Sequence, residues 1–168
     1  EGKTHTRFIA AEPESCPKLT KRVFQYDFGD EAGYTALIPM LTLGHNFAPA
    51  NIHAGGLRYH GAGAVVSQLR EDNLVEAVDI PQLESFAAAT LFARGEGIIP
   101  APESAHAIAA AIREAKKCKE EGKGKVILFN LSGRGLIDMA SYDRYFACDL
   151  ANYTVPDDEI ANNAASLE

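Results

Sequence analysis

Residues 123–135 read KGKVILFNLSGRG. The run at 126–131 has the length of a strand and almost no polar alternation, which is the pattern of a strand covered on both faces. It follows a long helical stretch at 104–121. There Ala105, Ile108, Ile112 and Ala115 recur at helical spacing, while Arg113, Glu114, Lys116 and Lys117 face outward. Gly122 and Gly124 supply the left-handed residue that ends such a helix. Another helical stretch, MASYDRYFACDL at 139–150, comes after the glycines. A strand flanked by helices of crossover length implies a parallel sheet.

The alternation extends toward the amino terminus. Residues 7–11 read as a strand closed by Glu12 and Pro13, since a proline cannot continue a ladder. Residues 16–30 lack clear periodicity and read as loop. A helical pattern at 34–43 is interrupted by Pro39 and ends at Gly44. The loop GHNFAPANIHAGGLRYHGAG (44–63) is too rich in glycine and proline to build a core. A helix is predicted over 64–71 and a strand over 74–80. A second helix should run to Arg94, capped by Asp79 with Pro81 in its first turn and Gln82 three residues on.

The predicted fold is α/β, a mainly parallel sheet with helices on both faces, over residues 1–150. Residues 151–168 form a polar, aperiodic tail, expected to be disordered and to end in an expression scar. The chain opens on Glu1 rather than methionine and enters a strand within a few residues, so it is expected to be part of a longer chain.

Composition narrows the function. A 168-residue chain with 46% hydrophobic residues has enough apolar side chains for a core, and no stretch reaches the length of a membrane span. A net charge of −7 argues against nonspecific nucleic-acid binding. The basic cluster KKCKEEGKGK (116–125) carries glutamates and reads as a solvated helix end. Cys16, Cys118 and Cys148 are odd in number and widely spaced, which suits reduced thiols and a cytoplasmic location.

Ligands of open α/β sheets bind beyond the carboxyl ends of the strands, and SGRG at 132–135 falls there. It lacks the glycine spacings of a phosphate loop, and Asn130 stands where a nucleophile elbow needs glycine, so its local chemistry favours a strand-to-helix turn. His45, His53 and His60 match no zinc pattern and read as loop residues bonded locally. Glu96, between Gly95 and Gly97, reads either as a carboxylate in a turn open to a ligand or as a helix end.

Three stretches in order, IHAGGLRYHG (52–61), EGIIPAPESAHAI (96–108) and ILFNLSGRG (127–135), carry a resemblance. With their spacing they resemble the beta subunits of tryptophan synthase, of the second, beta-2-type class. That family uses pyridoxal phosphate on fold type II and condenses indole with L-serine, or O-phosphoserine in some relatives, to L-tryptophan.

The resemblance implies site residues. Ser132, followed by Gly133, would place a hydroxyl at the pyridine nitrogen of the cofactor. A neutral hydroxyl does not stabilise a pyridinium as a carboxylate would, which suits β-replacement over transamination. Glu96 would lie beside the cofactor ring, and Gly56 would bring backbone close to it. The carbonyls of Tyr59 and Gly61 match positions that hold a monovalent cation. Arg58 stands where the ordinary class has an aspartate, and an arginine there would pair with a carboxylate or phosphate.

The resemblance also implies that the Schiff-base lysine, the glycine-rich phosphate loop and the alpha-subunit communication region lie before Glu1. The chain alone is then expected to be inactive. Its implied partners are the amino-terminal part of the same subunit and a second copy in a homodimer, with the docking of an alpha subunit left open. The competing expectation is a non-catalytic α/β module that binds a partner or oligomerises.

Overall fold

The computed structural model describes residues 6–21, 23–165 and 167. Lys3 and most of the suspected terminal scar lie outside them. Strand β1 (Ile9–Pro13) pairs in parallel with β4 (Glu76–Ile80), in register from Ile9 opposite Glu76 to Pro13 opposite Ile80. The strand thus includes Glu12 and Pro13. Among the described residues β1 is an edge strand, where a proline's missing N–H costs no ladder bond.

Helix α3 (Pro102–Glu121) covers this ladder. Its Ile108 and Ala109 meet Ile80 of β4 and Ala88 of α2 (Gln82–Glu96) in one buried cluster. Small side chains at Ala88, Ala89, Ala105 and Ala109 let α2 and α3 pack closely. On the far side of this pair Phe86 meets Tyr142 edge-on at 5.2 Å and stacks on Tyr145 at 5.5 Å. Both tyrosines belong to α4 (Met139–Phe146).

The predicted cap of α2 is replaced. Asp79 stays in β4 and the helix begins at Gln82, with the Leu83 N–H donating to the Asn152 side chain at 2.9 Å. That cap comes from 69 residues away, beyond the reach of any local pattern.

Two elements differ more deeply from expectation. Residues read as loop contain β2 (Val23–Asp27), and those read as helix contain β3 (Ile38–Thr42), the two pairing antiparallel. A short apolar run such as LIPMLTL does not distinguish helix from strand by spacing alone, and the pairing partner decided it. Helix α1 (Ala64–Glu71) forms over its predicted span. Its buried Ser67 hydroxyl accepts the Leu41 N–H at 2.9 Å and donates to the Ala62 carbonyl at 3.2 Å, fastening the helix to β3.

The predicted strand at 126–131 is not formed: residues 123–133 are neither helix nor strand. Val126 is 100% and Leu128 92% exposed, while Phe129 meets Phe92 edge-on at 5.8 Å. An apolar run records that a segment can be covered on two faces. It does not record that the covering strands belong to the same stretch of chain.

The tail expected to be disordered holds α5 (Asp157–Ala165). Val155 and Ile160 are buried with Cys16, Leu43 and Phe47, and Lys21 pairs with Asp157 at 2.6 Å. Gly44, at φ +94°, lies against this helix, where a Cβ would come within 2.9 Å of the Asn163 carbonyl oxygen. Two apolar residues in a polar segment escape a composition reading, yet they seal the second core. Truncating Ile160 to alanine should cost about 2–5 kcal/mol, read as a lower urea midpoint with unchanged slope. No shift would mean that α5 is not docked in solution.

Candidate functional site

The first turn of α3 gathers the segments singled out from the sequence. Pro102 opens the helix, its ring holding the φ that the first helical position requires. Next to it, the Glu103 carboxylate accepts the Gly56 N–H at 2.9 Å, and the Ser104 hydroxyl accepts the Gly133 N–H at 3.0 Å. Ala101 N–H donates to the Gly133 carbonyl at 3.0 Å and Gly135 N–H to the Ile99 carbonyl at 2.9 Å. The strip 99–101 is therefore zipped to 133–135, with an antiparallel bridge between Pro100 and Arg134. Tyr142 fixes the strip from behind by donating to the Pro100 carbonyl at 2.5 Å. Burial pushes this phenol up to about 12, so it remains a donor throughout the neutral range.

Gly133 is required by contact. A Cβ there would stand 2.8 Å from the Ala101 Cβ. Ser132, one residue earlier, is exposed at the head of this zipped turn. The two loops of interest, at 55–61 and 132–135, are thus held on adjacent residues of one helix.

Glu96 is the last residue of α2, and only Gly97, at φ +71°, leaves the helix. The backbone there is a helix end, with the Glu96 residue exposed. Glu96 lines an apolar groove of about 380 Å³ with Leu91, Phe92, Ile112, Ile127 and Phe129, the last two leading into SGRG.

In the other loop, Gly55–Leu57 forms a 3-10 turn and Arg58 donates to the Pro49 carbonyl at 3.1 Å, its Nε buried without a partner. The Tyr59 carbonyl accepts the Cys16 thiol at 3.1 Å, and the Leu57 carbonyl accepts Lys18 Nζ at 3.0 Å. Gly61 bridges to Thr42, and a Cβ there would overlap the Met40 sulfur.

The three loop histidines bond to remote partners rather than locally as expected, and two of them share one carboxylate. His45 lies 2.6 Å from the buried Asp27 carboxylate and His60 3.8 Å from it, while His53 contacts Ser141 and Arg144. Arg144 is a donor, so His53 Nε2 accepts and Nδ1–H donates to Ser141. Burial and then Arg144 lower the His53 pKa, consistent with a neutral ring.

Glu12, Lys18, Glu103, Ser104 and Tyr142 were not singled out from the sequence. Their partners are remote, and only PES after a proline hinted at a helix start. Glu12, 2% exposed, accepts the Leu19 and Thr20 N–H groups and the Thr20 hydroxyl, shaping the turn that delivers Cys16 and Lys18 to the loop.

A family profile described as "Pyridoxal-phosphate dependent enzyme" matches residues 1–133. The chain belongs to the pyridoxal-phosphate-dependent enzyme family. Within this family it is 57% identical over 150 residues to tryptophan synthase beta chain 2 of Methanosarcina mazei, covering 89% of this chain and 34% of the relative. To tryptophan synthase beta chain 2 of Thermotoga maritima it is 61% identical over 136 residues, covering 81% of this chain and 32% of that one. The corresponding Aquifex aeolicus protein is 57% identical over 150 residues, covering 89% and 35%. The chain therefore spans about a third of the length of the curated relatives it matches. The α/β architecture with a parallel ladder agrees with the fold type II expectation.

Replacing Gly133 by alanine should cost about 1–3 kcal/mol through the clash with Ala101, measurable by urea unfolding. Burial raises the Glu12 pKa above 4.5 despite its hydrogen bonds. The folded state then binds this proton more tightly than the unfolded state. The resulting stability is complete below pH 4.5 and is lost as pH rises through the folded value. The unfolding free energy of the parent minus that of Glu12→Gln should fall over that window. A pH-independent difference would show that Glu12 is not the group responsible.

Proposed function

We propose that this chain contributes one wall of the catalytic site of a tryptophan synthase beta-type enzyme, which condenses indole with L-serine or O-phosphoserine. The reading is carried by the identity to tryptophan synthase beta chain 2 proteins, together with the joining of the Gly56 and Ser132 loops on one turn of α3. Pyridoxal phosphate, when bound, supplies an electron sink for charge developed at the amino-acid α-carbon.

The residues present fit such a group. Ser132 offers an exposed neutral hydroxyl on a backbone locked at Gly133, suited to a pyridine nitrogen that remains unprotonated. Glu96 lines the groove leading to that turn, suited to the edge of the ring. Gly56 has no Cβ to bar the cofactor, and its N–H is oriented by Glu103. Arg58, tethered at Pro49, is the group for a substrate carboxylate or phosphate.

Lys18, Lys21, Lys117 and Lys125 are engaged in structural contacts. By the same resemblance the aldimine lysine and the phosphate loop are assigned to the amino-terminal part of the subunit, the chain's first partner. The exposed run at 126–131 would gain its covering strands from that part. A homodimer and a cytoplasmic location complete the proposal. No helix among the described residues is long and apolar enough to cross a membrane.

Mixing the chain with a soluble amino-terminal segment of a relative should restore pyridoxal-phosphate absorbance and tryptophan formation. A stable complex that binds cofactor without forming tryptophan from indole and either amino acid would overturn the reading. In the active complex, Ser132→Ala should weaken cofactor affinity roughly threefold to tenfold, the value of one neutral hydrogen bond.

A further inference from the structure

The family resemblance assigns a monovalent cation to the carbonyls of Tyr59 and Gly61, and the residues around this loop do not fit that ion. We propose that Lys18 is the built-in cation of the loop at 57–61, so that this chain orders the loop with an ammonium and binds no metal ion there.

Three observations carry the proposal. Lys18 is only 9% exposed, and its Nζ lies 3.0 Å from the Leu57 carbonyl, inside the chain rather than in solvent. The Tyr59 carbonyl already accepts the Cys16 thiol at 3.1 Å, from the same short segment that delivers Lys18. Arg58, between Leu57 and Tyr59 in sequence, adds a second positive charge to the loop, half-buried with its guanidinium anchored on the Pro49 carbonyl.

An alkali ion needs several carbonyl oxygens free to replace its water shell. Here the Tyr59 carbonyl holds a thiol proton, and the Leu57 carbonyl, two residues earlier in the same loop, holds an ammonium. A further positive charge about 5 Å from Lys18, at an effective dielectric near 20, would bind on the order of a hundredfold more weakly. Glu12 shapes the turn that carries Lys18, and Lys18 acts to lower the pKa that burial raises at Glu12. The positions of the segment are set by backbone bonds, Cys16 N–H to the Pro13 carbonyl at 2.9 Å and Lys18 N–H to the Cys16 carbonyl at 3.0 Å.

The inference rests on the family reading only for which loop is concerned. Its test uses the full chain with no cofactor and no activity, so its failure is distinct from failure of the proposed function. Thallium(I) NMR titration, with thallium as a potassium surrogate, should show no saturable binding to the parent chain. Its thermal midpoint should be the same in potassium and tetramethylammonium chloride at equal ionic strength. Lys18→Met should gain saturable thallium binding and a midpoint that rises with potassium, and Lys18→Arg should behave as the parent. Saturable binding to the parent overturns the proposal, and so does a folded Lys18→Met variant that binds no more thallium than the parent. If Lys18→Met does not fold, the parent titration decides between the two outcomes.

Discussion

The loops that carry Gly56 and Gly133 are both referred to the first turn of α3. A helix start leaves backbone groups and first-turn side chains directed outward, and here Glu103 and Ser104 use that position to hold two loops. The helix itself is anchored by Ala105, Ile108 and Ala109 in the core between β4, α2 and α4. The heights of Gly56 and Gly133 are therefore set by apolar packing rather than by the loops' own preferences. Loop residues gain precision from a rigid element in this way, and a shift of α3 would move both loops together.

Buried polar groups supply the second level of order. Asp27 is fully buried and accepts from Thr42, His45 and the Phe28 N–H at 2.6–2.7 Å, so each oxygen is satisfied. Glu12 does the same for the turn at 16–20. An unpaired buried carboxylate would be costly, so these networks define one arrangement of the surrounding backbone. His106 is only half satisfied. Its Nδ1 donates to the Pro102 carbonyl at 2.8 Å while Nε2 is buried without a partner, and burial depresses its pKa, favouring the neutral ring.

Legibility followed the range of the interactions. Helix α1 was readable because its signals lie within one turn of each other. Helix α3 was readable for the same reason, beginning two residues earlier than expected because Pro102 occupies its first position. Strand β3 was misread because five residues cannot display a period, and only pairing with β2 made it a strand. The run at 126–131 was misread for the opposite reason: its composition states a requirement for covering strands that the described residues do not meet.

The sequence by itself determined the α/β class, the helices with sustained periodicity and, through three ordered motifs, the family. These rest on near-neighbour chemistry and on residue identity, both of which are written along the chain. Tertiary structure alone decided that Asn152 caps α2, that Ser104 holds Gly133, and that Lys18 reaches the carbonyl of Leu57. Each joins residues 29 to 69 positions apart. No local pattern encodes such pairs, because the separation is bridged only when the core has folded and set the elements side by side.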